Sequence, residues 1–389
     1  MTFSHRTAHL KAEGAYAVLA RAQALEAQGR EIIHLEIGQP DFETYSHIAL
    51  AGIRAIATGE TRYNPPSGLP ALRQALAVEA GRQRGVQFAP EQVVIAPGTK
   101  PMLLLPMLAL LEAGDEVIYP DPGFPSYVAA IGIVGAKPVP VPLVEERGFD
   151  LDLEALDASL SPRTRMIILS SPSNPTGGIL SARALAHVAE VSRRQNLWIL
   201  TDEIYTRLVY DGEAPSIVSL PGMDEAQVII ADGFSKTYAM TGWRLGFGIM
   251  PQPLAEMLDL LLTHSVGCTA TFTQFAGLEA VLGPQDEVGA VLSEFRRRRD
   301  LIVEGLNAIP GIRCPIPQGA FYAFPNVQAL GLSSAELADY LLEKAGVAVL
   351  PGTSFGRHGE GYLRLSYANS MENIQRALER IAATLERLQ

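Results

Sequence analysis

The sequence predicts an α/β fold: a mainly parallel sheet with helices on both faces, joined to a smaller α+β portion. Three observations predict it. Between residues 46 and 283, short uninterrupted apolar runs alternate with amphipathic helical stretches. Such runs are the mark of strands buried on both faces of a parallel sheet. Several runs end in clusters of polar, glycine and proline residues, where ligands gather at the carboxyl edge of an open sheet. Beyond residue 284 the pattern changes to a long charged helix followed by mixed short strands and helices.

The elements follow in order. Residues 10–28 have the apolar spacing of an amphipathic helix, and Gly29 stands where such a helix stops. Ile32-Ile33-His34-Leu35 is a short strand, and Gly38-Gln39-Pro40-Asp41 has the character of an active-site loop rather than a linker. The sheet strands expected are Val93-Val94-Ile95, Glu116-Val117-Ile118-Tyr119, Met166-Ile167-Ile168-Leu169, Trp198-Ile199-Leu200 and Val228-Ile229-Ile230, with Leu245-Gly246-Phe247-Gly248-Ile249 as a further one. A long helix begins near Pro284 and carries Arg296-Arg297-Arg298-Arg299. With Glu287, Glu294 and Asp300 close by, this run reads as a solvated helix face rather than a nucleic-acid patch. Strands near residues 321–324, 347–350 and 362–365 then mix with two helices. The division expected is a large α/β domain over 46–283 and a small discontinuous α+β domain made of 1–45 and 284–389.

A chain of 389 residues with 48% hydrophobic and 19% charged residues has ample material for more than one core. The net charge of −11 disfavours nucleic acid or an anionic membrane as partner. The two cysteines, Cys268 and Cys314, form no CxxC pair and read as reduced thiols of a cytoplasmic protein. The first residues are polar, without the apolar core of a signal peptide. The longest apolar stretch, residues 102–111, is about half of the ~20 residues a membrane span needs.

The chemistry concentrates at strand ends. Lys236 follows the strand Val228-Ile229-Ile230 and is hemmed in by Phe234, Tyr238, Met240 and Trp243. Desolvation makes a lysine amine a usable nucleophile toward an aldehyde, with which it forms a Schiff base. Trp198-Ile199-Leu200-Thr201 runs into Asp202-Glu203-Ile204-Tyr205. A carboxylate at a buried strand end needs a positive partner, and the protonated ring nitrogen of a pyridine cofactor is one; a helix N-cap is the structural alternative. Asn174-Pro175-Thr176-Gly177 is a rigid turn whose amide suits a phenolate oxygen; a plain strand-to-helix turn is the structural alternative. Pro97-Gly98-Thr99-Lys100 opens a helix, where backbone N–H groups favour an anion, and Ser235 and Arg244 supply further phosphate donors. Phe124, between prolines, offers a platform for a flat ring or a core anchor. Arg364 lies inside an apolar strand and demands a carboxylate, from a substrate or from the protein.

Taken together, Asn174-Pro175-Thr176-Gly177, Asp202-Glu203-Ile204-Tyr205, Ser235-Lys236 and Gly242-Trp243-Arg244 resemble class I aminotransferases of the fold-type I pyridoxal-phosphate superfamily, in the aspartate aminotransferase-like branch. The resemblance spans nearly the whole chain, from Gly38 to Tyr367. It implies a seven-stranded sheet, a pyridoxal 5'-phosphate cofactor, amino-acid and 2-oxo-acid substrates and a homodimer with shared sites. It implies that Lys236 bonds the cofactor covalently and shuttles a proton, that Asp202 pairs with the pyridine nitrogen, and that Tyr205 and Asn174 bond the ring oxygen. Phe124 would stack on the ring. Gly98, Thr99, Ser235 and Arg244 would hold the phosphate, with Lys100 beside them and Tyr63 reaching the phosphate of the neighbouring subunit. Arg364 would grip the substrate α-carboxylate with help from Gly38 and Asn174. Two positions depart from the family pattern: Phe124 where tyrosine or tryptophan is frequent, and Tyr45 where proline is common, so the shape of the loop before Tyr45 is open.

The same constellation serves transamination and, alternatively, C–S β-elimination or other fold-type I chemistry, since the outcome depends on which bond stands perpendicular to the ring. No second cation for a distal substrate carboxylate is evident in the sequence. Tyr16, Ile37 and Phe124 are candidates to favour an apolar or aromatic substrate side chain. A nicotinamide reading lacks GxGxxG after a strand, and a metal-hydrolase reading lacks HExxH among the seven histidines.

Overall fold

The computed structural model describes Ser4, Thr7, Leu10 and residues 14–223 and 227–387. Residues 11–13 of the expected first helix and most of the polar N-terminus lie outside the described residues; the helix itself runs Gly14–Glu26. The strands in chain order are β1 (Ile33–His34), β2 (Val93–Ala96), β3 (Glu116–Asp121), β4 (Lys137–Val144), β5 (Asp150–Leu151), β6 (Thr164–Ser170), β7 (Trp198–Asp202), β8 (Val228–Gly233), β9 (Gly246–Ile249), β10 (Tyr322–Ala323), β11 (Val347–Ala348), β12 (Leu350–Pro351) and β13 (Leu363–Ser366).

The large sheet has the order β2-β9-β8-β7-β6-β3-β4-β5. The pairs β7–β8, β6–β7, β3–β6 and β3–β4 are parallel. β9 runs antiparallel to both β2 and β8. Seven strands are implied by the family likeness; the eighth is the two-residue β5, folded back antiparallel on β4. β4 escapes sequence reading because Pro138, Pro140 and Pro142 interrupt it. Successive N–H groups of a strand point to opposite edges, so prolines two apart remove donors from one edge only. The other edge still pairs with β3 along residues 137–142.

Alternation within the strands gives the sheet two apolar faces. Val94, Val117, Met166, Ile168, Leu200 and Ile229 pack on one side with Met102, Leu103, Tyr127, Ile131 and Leu258. Those partners come from the helices Lys100–Leu110, Ser126–Ile133 and Gln252–Thr263. Ile95, Ile118, Ile167, Leu169, Ile199 and Ile230 pack on the other side with Leu72, Leu76, Leu185, Val188 and Ala276. This second core continues without a break into Phe295, Phe321, Val347 and Ile374 of the C-terminal part, so the two parts of the chain share apolar packing next to the site.

In that C-terminal part, β10, β13 and β12 form an antiparallel sheet, and β1 joins β11 in parallel. The β1 pairing carries a titratable anchor. His34 Nδ1 lies 2.8 Å from Glu36 Oε1 and Nε2 lies 3.1 Å from Glu26 Oε1. The Glu36 bond, chiefly, raises the His34 pKa from 6.5 to about 9. A raised folded-state pKa contributes stability that is complete below the unfolded value and is lost as pH rises through the folded one. The melting-temperature deficit of His34→Gln relative to the parent is therefore expected to be largest near pH 6 and to vanish above about pH 9. A deficit that is independent of pH contradicts this.

The arginine run corrects one expectation. Four consecutive residues sweep most of the way round a helix, so the run is not a single solvated face. Arg298 and Arg299 of the helix Asp286–Asn307 are each only 6% exposed. Arg298 donates to Asp41 Oδ1 at 2.6 Å and to Glu294 Oε1 at 3.0 Å, with its guanidinium 4.8 Å from the Phe42 ring centroid. Arg299 donates to Asp211 and Asp300 and lies over Tyr210. Arg298 thus pins the loop that follows Gly38.

Candidate active site

The carboxyl ends of β6, β7 and β8 and the loops after β2 and β3 converge on one open cleft of about 1300 Å³. Its lining includes Gly38, Thr99, Lys100, Phe124, Asn174, Asp202, Tyr205, Ser235, Lys236, Arg244 and Arg364. Residues scattered from 38 to 364 in sequence are therefore brought together. Gly98 borders the cleft through its contact with Arg244. Two expected residues are not in the lining: Gly98, which lies just behind it, and Tyr63, which is 98% exposed.

The cleft floor is Asp202, at the end of β7 and 6% exposed. Its carboxylate accepts from Tyr127 Oη at 2.8 Å and from the Ile204 N–H at 3.3 Å. Burial pushes its pKa up to about 6, opposed by the Tyr127 bond. It is not a helix N-cap, since no helix follows β7 directly. Behind it, Arg84 donates to Glu203 Oε2 at 2.8 Å and to Asp232 Oδ2 at 3.2 Å, with all three groups shielded from water. One guanidinium between two carboxylates ties the ends of β7 and β8 to the helix Pro70–Arg84. Losing one partner of such a buried set costs about 3–5 kcal/mol, so the floor is rigidly registered.

The anion end of the cleft is built on Gly98 and the helix Lys100–Leu110. Gly98 has φ +89°, and a Cβ there would meet Arg244 Nη2 at 2.2 Å. Only glycine allows the guanidinium this close to the loop. Arg244 itself sits in the left-handed region at φ 53°, a conformation that costs about 1 kcal/mol or more for a side-chain-bearing residue. Its Nη1 donates to the Thr241 carbonyl at 2.9 Å. Thr99 Oγ1 donates to the Asp232 carbonyl at 3.1 Å, and Ser235 is buried beside them.

Lys236 Nζ donates to the Gly38 carbonyl at 2.6 Å and lies 5.7 Å from the Phe321 ring centroid. The Gly38 loop is fastened to the lysine segment elsewhere too. Tyr45 Oη donates to the Thr237 carbonyl at 2.9 Å, Thr44 Oγ1 donates to the Ala239 carbonyl at 2.7 Å, and Trp243 Nε1 donates to Thr44 Oγ1 at 3.0 Å. Tyr45 is buried just before the helix Ser46–Ala57, so tyrosine here supplies a fastening that proline lacks.

Arg364 is buried in β13. It donates to the Glu36 carbonyl and to Asn174 Oδ1, the latter at 3.3 Å. Its guanidinium carbon lies 4.6 Å from the Tyr322 ring centroid and 5.0 Å from that of Phe355. Tyr205 is buried, and its Oη is 2.8 Å from Tyr322 Oη. Phe124 forms part of the wall, edge-on to Tyr127, with Lys100 Nζ 5.4 Å from its centroid. Tyr16, Ile37 and Cys268 also line the cleft. Cys314 is remote and buried, its thiol pushed up to about 12 by desolvation.

Sequence reading gave no role to Tyr127 or Tyr322. Both touch a titratable site residue through a phenol, and both come from segments distant in sequence. The only available signal was a tyrosine beside glycine or proline in Pro125-Ser126-Tyr127 and Gly319-Ala320-Phe321-Tyr322.

These residues fit pyridoxal phosphate. A buried carboxylate of raised pKa, satisfied by neutral donors, suits a pyridinium N–H. The glycine-backed cradle of Thr99, Ser235 and Arg244 suits a phosphate, and the Lys236 amine lines the same cleft.

Comparison with known proteins agrees. The model of the family "Aminotransferase class I and II" matches residues 30–381. A probable aspartate/prephenate aminotransferase of Aquifex aeolicus is 39% identical, with 98% of each chain covered. Aromatic-amino-acid aminotransferase 2 of Thermococcus litoralis is 40% identical, covering 92% of this chain and 93% of that one. The crystal structure of the aspartate aminotransferase from Rhizobium meliloti superposes with a TM-score of 0.95 at 36% identity, covering 100% of this chain and 99% of that one. With the strand-end lysine, the floor carboxylate and the glycine-backed anion cradle in one cleft, the chain belongs to the class I and II aminotransferases, as a pyridoxal-phosphate-dependent transaminase of the aspartate aminotransferase-like branch.

Proposed function

We propose that this transaminase takes its amino group from a dicarboxylic α-amino acid, with aspartate as donor and 2-oxoglutarate as acceptor. One observation carries the reading: Lys100 joins Arg364 in the lining of the same cleft. Four cations line it among the described residues. Lys236 is suited to the cofactor aldehyde, Arg244 to its phosphate and Arg364 to the substrate α-carboxylate. Lys100, in the same lining, is suited to a distal carboxylate.

When bound, pyridoxal phosphate supplies an aldehyde for the substrate amine and a pyridinium ring that draws electrons from the substrate α-carbon. Asp202, ionised, would hold a proton on the ring nitrogen. Tyr205 and Asn174 would donate to the ring oxygen, and Phe124 would flank the ring. Gly98, Thr99, Ser235 and Arg244 would hold the phosphate. Arg364, helped by Gly38 and Asn174, orients the α-carboxylate. Lys236 Nζ takes the α-proton and returns it, a general acid–base role worth about 10²–10⁴-fold.

The reading extends to assembly. Leu50, Ile53 and Ile56 are exposed along one face of the helix Ser46–Ala57, and Tyr63, a few residues further along the chain, is fully exposed. An apolar strip of this kind suits an interface with a second copy, across which Tyr63 would reach the neighbouring phosphate. We place the enzyme in the cytoplasm and divide it into a large domain, 46–283, and a small one, 1–45 with 284–389. Among the described residues no helix is long and apolar enough to cross a membrane.

A donor panel tests the substrate. In Lys100→Met, kcat/KM for aspartate is expected to fall about 10- to 100-fold, the size of one charge-assisted hydrogen bond, while alanine and phenylalanine change less than about 3-fold. An equal loss for all donors contradicts the role.

A further inference from the structure

We infer that Tyr322 is a positioning residue that joins the substrate-carboxylate arginine to the tyrosine facing the cofactor ring oxygen. The inference rests on the roles given above to Arg364 and Tyr205. Tyr322 ends the Gly319-Ala320-Phe321 turn and opens β10, and it is 1% exposed. Its hydroxyl lies 2.8 Å from Tyr205 Oη. Its ring lies 4.6 Å from the Arg364 guanidinium carbon, which Phe355 flanks at 5.0 Å. Its hydroxyl also abuts Gly38, where a Cβ would come within 2.2 Å. One phenol therefore touches three elements of the site: the ring-oxygen tyrosine, the α-carboxylate arginine and the loop that receives Lys236 Nζ.

Each contact has a chemical consequence. When Tyr205 donates its proton to the ring oxygen, its own oxygen is left to accept from Tyr322. Hydrogen bonds in series strengthen one another, so Tyr322 makes Tyr205 a better donor to an anionic ring oxygen. A stronger donor there favours loss of the proton that the lysine-bound cofactor shares near that oxygen, and so lowers the pH of its absorbance transition. The ring face fixes the plane of the Arg364 guanidinium before the carboxylate arrives, which lowers the ordering cost of substrate binding. The first effect needs the hydroxyl; the second needs only the ring.

Two substitutions separate these effects. Tyr322→Phe keeps the ring and the packing and removes the hydroxyl. It is expected to raise the midpoint of the cofactor's absorbance transition by about 0.4 to 1 pH unit, the size of one net hydrogen bond, with KM for the amino donor changed less than about 2-fold. Tyr322→Leu is expected to raise that KM about 5-fold or more in addition. Tyr205→Phe is the control and should move the midpoint in the same direction by at least as much. If Tyr205→Phe moves the midpoint and Tyr322→Phe does not, the relay is wrong while the site reading stands. If neither moves it, the assignment of Tyr205 falls, and the relay with it. A Tyr322→Leu variant with parental KM overturns the arginine half. Melting temperature is measured alongside, because a purely structural role would lower it and leave the midpoint in place.

Discussion

Lys236→Ala is expected to abolish transamination, with turnover falling by at least about 10⁴-fold. The variant should also lose the visible band of covalently held cofactor. The loss is this large because one amine has two tasks, bonding the aldehyde and moving the α-proton, and no other lysine in the cleft can take them up. Lys100 opens the helix at the anion cradle and lies against Phe124, whereas Lys236 Nζ reaches the Gly38 carbonyl on the substrate loop. Folding should survive. Lys236 makes no contribution to the two cores on the sheet faces, so the melting temperature of the apo variant is expected to stay within a few degrees of the parent. Cofactor should still bind without the covalent bond, held by the phosphate cradle and Asp202, but should be removed by dialysis. Single-turnover kinetics with spectroscopy check all of this in one preparation. Retained turnover together with a retained band contradicts the assignment.

The second large effect is at the floor. Asp202→Asn keeps the side-chain shape and can keep the Tyr127 contact, but it removes the charge. An uncharged amide cannot hold a proton on the ring nitrogen, so kcat should fall about 10²–10⁴-fold, matching the 3–5 kcal/mol lost when a buried ion pair is broken. Because Arg364 and Lys100 are untouched, KM for aspartate should change far less than kcat. An equal rise in KM with unchanged kcat would assign Asp202 to substrate binding instead. Asp202→Glu is the companion variant. It restores the charge but pushes the carboxylate against a floor fixed by the Arg84–Glu203–Asp232 set, and it should recover only part of the loss.

Much of this site could be read from the sequence because its chemistry is local there. Asn174, Asp202, Ser235, Lys236 and Arg364 each sit in or directly after an apolar run, and the carboxyl edge of the sheet gathers such positions by topology alone. The strands were legible for the same reason, except where another rule applied. β4 carries three prolines and reads as loop until its pairing with β3 along one edge is seen. The arginine run looked solvated because composition does not say how far four consecutive residues wrap round a helix; Arg298 and Arg299 turn inward to Asp41 and Asp211. Tyr322 and Tyr127 were illegible for a different reason. Their value lies in phenols that meet Tyr205, 117 residues away, and Asp202, 75 residues away, and no local pattern records such a meeting. Lys100 is visible beside the phosphate loop, but only the structure shows that it lines the same cleft as Arg364. Tyr45, a departure from the family pattern, proves to fasten the substrate loop to the lysine segment.

The central claim is a covalent bond between the cofactor aldehyde and Lys236 Nζ. Incubating the purified enzyme with pyridoxal phosphate, reducing it with borohydride and mapping its peptides by mass spectrometry tests that bond directly. The account predicts one stoichiometric phosphopyridoxyl adduct, on the peptide containing Ser235-Lys236-Thr237, and none there in Lys236→Ala. An adduct on Lys100 or another lysine in its place, or no adduct at saturating cofactor, would contradict it.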